Sequence, residues 1–152
     1  MRFLYPAQVT EHVEKRPEDS GFAVAFPDLP EALTWGASRE AALASAVDCL
    51  EEALAARIKA REDLPPPSPA RGRPTVAPGS LIGAKAALYL ALKDSGVKRS
   101  ELARRMGAQP SLVTRLLDPA HATKPDLFDA AFAALGKRLV VSVENAAYTK
   151  SR

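Results

Sequence analysis

Gln109, Ser111, Leu112, Thr114 and Arg115 lie in the stretch "ELARRMGAQPSLVTRLL", Glu101–Leu117, at the entry and along the first turns of one short helix. Their chemistry is hydrogen bonding. An amide, two hydroxyls and a guanidinium match the donors and acceptors on base edges in a major groove, and Leu112 suits a thymine methyl group. Arg115 has the reach for either a guanine edge or a phosphate. Arg99, Arg105 and Lys124 are cations suited to holding a phosphate backbone, whereas Arg104 reads as an ordinary solvated helix residue.

Catalytic chemistry finds little support. Metal-dependent cleavage of a nucleic acid needs carboxylates that hold two ions about 4 Å apart. Here Glu11, Glu14, Glu18 and Asp19 cluster at a polar turn, Asp28 sits in a proline corner, and Asp48 and Glu52 follow a helical pattern. No strand carries an acidic core set. His12 and His121 are isolated, and the single Cys49 lies on the apolar side of a helical pattern, so it reads as a small buried hydrophobe. The expectation is a protein that is not an enzyme and holds no metal or cofactor.

Positioning the hydrogen-bonding set requires a helix, a tight turn and a second helix. Gly107 suits the left-handed turn that ends the first, and Pro110, with its φ preset and its missing N–H harmless in a first turn, begins the second. Ser100 is the residue type expected to cap the preceding helix, but alignment with repressor-type sequences places the cap at Lys98, which is favoured because Glu101 then falls at the third helical position. A helix near Ile82–Asp94 comes before it. A fourth helix, capped by Thr123 with Pro125 in its first turn, ends at Gly136, and "RLVVSVE", Arg138–Glu144, reads as a final strand. That strand has no obvious partner, which suggests pairing with a second copy. The spacing is that of a phage-repressor-like helix-turn-helix, except that Pro110 stands where a glutamine is common. A plain helical hairpin is the alternative.

Charge divides the chain. Residues 1–64 carry 7 Lys+Arg against 12 Asp+Glu, a net of −5; residues 65–152 carry 14 against 6, a net of +8. A basic module favours polyanions and an acidic one a basic partner. "LPPPSPARGRPTVAPG", Leu64–Gly79, holds six prolines and reads as a semi-rigid spacer. The expected organisation is therefore a domain at 1–63, a linker at 64–79 and a DNA-binding and dimerisation domain at 80–146. The first domain reads strand, strand, strand, helix, with Pro27 and Pro30 ending the second strand and Ser38 capping the helix. The start of the chain turns polar too early for a secretory segment, so a cytoplasmic location is expected.

The run "DSGFAVAFPDLPEALTWGASREAALASAVDCLEEAL", Asp19–Leu54, resembles the HicB antitoxins of bacterial type II toxin–antitoxin systems. The resemblance rests on Gly21-Phe22, the "FPDLP" corner, Thr34, Gly36 and the helix that follows. It implies an α+β protein whose N-terminal domain has a partial RNase H-like fold and masks a HicA-like toxin, a small basic ribonuclease. Asp19, Asp28 and Trp35 are the candidate toxin contacts beside the sheet edge. The C-terminal domain would bind operator DNA as a homodimer or higher oligomer. Glu31 and Ala32 depart from the family, which usually has glycine after the second proline. The alternative is a stand-alone regulator whose N-terminal domain binds a small molecule or oligomerises.

Overall fold

A computed structural model of the chain describes residues 1–145. Two compact units are present, one built from Met1–Ala53 and Pro65–Gly79 and the other from Leu54–Leu64 and Ser80–Val143. The fold is α+β. The elements of the first unit are β1 (Tyr5–Pro6), β2 (Gln8–His12), β3 (Gly21–Phe26), β4 (Leu29–Gly36), α1 (Arg39–Ala60) as far as Ala53, and β5 (Thr75–Val76). The second unit contains α2 (Ser80–Ser95), α3 (Arg99–Arg105), α4 (Pro110–Leu116) and α5 (Pro125–Ala134). No helix among the described residues is long and apolar enough to cross a membrane.

In the first unit β2, β3 and β4 form an antiparallel sheet in that order, followed by α1, which is the expected order of three strands and a helix. Strand alternation decides what is buried. Val24 and Phe26 on β3, with Leu29 on β4, go inside together with Ala42, Leu43, Ala46 and Leu50 of α1. Ser38 caps the helix as expected, its Oγ accepting the Ala41 N–H at 3.1 Å. Two glycines allow close approach. A Cβ on Gly36 would lie 2.3 Å from the Ala42 backbone nitrogen, and one on Gly21 would lie 2.5 Å from the Trp35 ring.

The proline corner differs from its expected form. Pro27 and Asp28 alone make the β3–β4 turn, while Pro30 lies inside β4, where the pairing jumps from Phe26↔Leu29 to Ala25↔Leu33. An edge strand with an irregular register tolerates a residue that cannot donate to the ladder. No residue of this corner has a positive φ, so Glu31 and Ala32 fit without strain.

The expected spacer also requires correction. Pro65–Gly79 belongs to the first unit, and its β5 pairs antiparallel with β1, joining Tyr5 to Val76 and Pro6 to Thr75. The Tyr5 hydroxyl donates to the Pro65 carbonyl at 2.9 Å, the Ser68 N–H to Asp28 Oδ2 at 2.9 Å, and the Gly79 N–H to Glu51 Oε1. Proline removes donors but leaves carbonyls that accept, and its extended geometry suits a segment laid along another strand. At the other expected boundary, residue 63, the chain divides within α1, whose residues from Leu54 onward belong to the helical unit.

In the second unit Leu88 of α2, Leu102 and Ala103 of α3, Val113 and Leu116 of α4, and Phe128 of α5 share one core. Each fully buried leucine contributes about 1.5–3 kcal/mol relative to exposure. Lys98 precedes α3 with extended φ and ψ, as expected of its cap. Gly107 ends that helix at φ +62°, with the Ala108 N–H bonded to the Ala103 carbonyl at 2.9 Å.

Two expectations fail in this unit. Lys124, not Thr123, holds the cap position of α5, and Pro125 takes the first helical position. The expected final strand at 138–144 is not formed: among the described residues the segment has no ladder partner, and Val140, Val141 and Val143 are exposed. The expected domain end at 146 lies outside the described residues.

Candidate functional site

The base-reading candidates converge on α4. Gln109 occupies its cap position and Pro110 its first. Ser111, Thr114 and Arg115, three and four residues apart, lie on one exposed face, while Val113 and Leu116 turn inward. Thr114 Oγ1 donates to the Pro110 carbonyl at 3.3 Å, leaving its lone pairs as acceptors. Leu112 is only half-exposed because it packs against the unit's core. The face therefore offers two hydroxyls and a guanidinium over less than two helical turns.

The backbone-contact candidates are spread over other elements and are not equally available. Arg99 opens α3 half-buried; desolvation lowers its pKa, as does the nearby charge of Arg61. Lys124 is exposed at the start of α5. Arg105 is engaged, its Nε donating to Glu101 Oε1 at 2.9 Å and its NH1 to the Ala134 carbonyl at 3.4 Å. Arg104, read as merely solvated, donates twice to the same carboxylate at 2.8 Å. Those bonds from Arg104 and then Arg105 hold the Glu101 carboxyl down at about 2. It is ionised at neutral pH and keeps both guanidiniums occupied.

Sequence reasoning missed Lys85. It is fully buried on α2 and its Nζ donates to the Arg115 carbonyl at 3.1 Å, the Leu116 carbonyl at 3.0 Å and Thr123 Oγ1 at 2.9 Å. A signal was present: Leu81, Lys85, Leu88 and Leu92 recur at intervals of four, three and four, which places the lysine on a core stripe. The hydroxyl expected to cap α5 is one of its acceptors.

In the sheet unit, Trp35 and Leu33 project from the face of β4 opposite the buried one, at 46% and 66% exposure, beside Ala23 and Ala25 of β3. The Trp35 indole crosses over Gly21 to His12, with ring centroids 5.6 Å apart. Asp19 is exposed at the end of the 3-10 turn Pro17–Asp19. Asp28 is half-buried and engaged by Ser68, so it helps hold the proline-rich segment in place. Cys49, half-buried on α1, has its thiol pKa raised by desolvation and then by Glu52, which disfavours the thiolate. Among the described residues, no three His, Cys, Asp or Glu side chains are grouped to hold a metal ion.

The chain thus combines a sheet unit that exposes Trp35 and Leu33 on one face with a helical unit that exposes a polar face on a short helix. Residues 4–77 match the family described as "HicB_like antitoxin of bacterial toxin-antitoxin system". Antitoxin HicB 1 of Photorhabdus laumondii is 39% identical over 127 residues, covering 84% of this chain and 81% of the relative. Antitoxin HicB of Escherichia coli K12 is 36% identical over 136 residues, covering 89% and 95%. Antitoxin HicB of Pseudomonas fluorescens is 32% identical, covering 88% and 93%. The chain belongs to the HicB antitoxin family.

Proposed function

We propose that this chain is a non-enzymatic antitoxin that neutralises a HicA-like ribonuclease with its sheet unit and represses its own operon through a helix-turn-helix formed by α3 and α4. The observation that carries the reading is that relatives named as antitoxins match along most of the chain, sheet unit and helical unit alike. A ribonuclease surface must attract phosphate and is therefore basic. The acidic first half of the chain steers towards such a surface, and Trp35 and Leu33 supply apolar contact at its centre. Asp19 serves as a peripheral charge.

Co-expression with the product of the adjacent reading frame tests the first part. A stable complex and restored growth are expected. No toxin gene beside this one would favour a stand-alone regulator. The second part includes a two-fold dimer formed by strand pairing of residues 138–144 between copies, which gives the exposed valines and unpaired backbone a partner. Truncation after Lys137 is expected to convert the dimer to a monomer by light scattering; an undiminished dimer mass would refute strand pairing.

A further inference from the structure

We infer that Lys85 is the positioning residue of the recognition helix: its buried ammonium fixes the end of α4, and through it the side chains that meet the bases. The inference rests on the reading that α4 enters the major groove.

α4 has only seven residues and its cap residue makes no side-chain bond, so its orientation must be imposed from outside. Lys85 imposes it. The ammonium has three donors and all three are used, two on carbonyls in the last turn of α4 and one on Thr123 ahead of α5. A cation at the carboxyl end of a helix also opposes the negative end of its dipole. The same Nζ lies 5.6 Å from the centroid of the Phe128 ring on α5. One side chain thus ties together α2, the end of α4 and the start of α5.

The direction of the contact links it to recognition. Arg115 points its guanidinium to solvent on the candidate reading face and turns its carbonyl inward to Lys85. Burial lowers the lysine pKa, and the charge of Asp118 works against that shift. A leucine would suit this core stripe without any desolvation cost, yet it would leave the carbonyls without their donor. What the lysine adds is a fixed geometry. Base readout tolerates displacements of only about 0.5 Å, whereas phosphate contacts by long cations tolerate far more.

The test uses the full-length protein with Lys85→Met, which keeps the length and removes the donors, and Thr123→Val, which removes one of three acceptors. Affinities are measured for a duplex containing the chain's own promoter region and for an unrelated duplex, at a temperature where circular dichroism shows each variant folded. Lys85→Met is expected to reduce the ratio of the two affinities at least tenfold, and Thr123→Val by a smaller factor. Binding to the unrelated duplex should change less than twofold. A purely structural residue would lower both affinities together or neither. An unchanged ratio in the folded variants overturns the inference, and Thr123→Val decides if Lys85→Met does not fold. If the unaltered protein shows no promoter preference, the reading of α4 itself fails.

Discussion

Urea unfolding of a Gly36→Ala variant is expected to show the sheet unit destabilised by about 3 kcal/mol or more, the upper range for overpacking. The added methyl carbon would stand 2.3 Å from the Ala42 nitrogen, 2.6 Å from its Cα and 2.8 Å from the Ala41 carbonyl carbon. All three are backbone atoms in the first turns of α1, so no side chain can swing aside. Relief requires the helix to move off the sheet, which opens the core around Val24, Ala42 and Ala46. Capture of the toxin should fall with the stability of this unit, while the transition of the helical unit stays in place. A variant as stable as the parent would show that the β4–α1 junction is looser than its geometry implies.

Operator binding should fall with added salt and with loss of Arg115. A DNA-binding dimer that makes six to ten phosphate contacts loses about 10³–10⁵ in affinity between 50 and 200 mM salt. Arg115→Ala is expected to cost about 1–3 kcal/mol and to relax base preference if the guanidinium reads a guanine edge. If it contacts phosphate instead, the loss is uniform across sequences and the salt slope falls by about one. Ser111→Ala should cost about 0.5–1.5 kcal/mol, the worth of one hydrogen bond. Arg104→Ala is the control, because Glu101 already engages that guanidinium. Binding indifferent to salt and to Arg115 would remove α4 from DNA recognition.

The helical punctuation was legible because it depends on one or two residues at a time. Pro110 at the first position of α4 and Gly107 at positive φ stand where their own backbone preferences place them, whereas Lys98 ahead of α3 followed from repressor-type spacing and the position of Glu101. Ser38 is similar, since its hydroxyl satisfies an N–H only three residues away. The Trp35–His12 contact over Gly21 was not legible, although all three residues were in view, because it depends on strand register. The availability of the arginines was also hidden: Glu101 engages Arg104 and Arg105 through spacings common to surface helices.

The amino-acid sequence by itself determined the α+β class, the three strands and helix before the proline-rich stretch, the four helices after it, the acidic and basic halves and the residues of the candidate reading face. These follow from local backbone preference, hydrophobic period and charge, which need no knowledge of distant neighbours. Tertiary structure alone decided that Thr75 and Val76 of the proline-rich stretch pair with β1, that the chain divides inside α1 and that residues 138–144 join no strand ladder among the described residues. It also decided that a lysine in an apolar stripe carries the end of α4. Each of these depends on where a donor or acceptor far along the chain finds its counterpart. That pairing is settled only when the units fold, because a buried polar group must be satisfied by whatever the fold brings to it.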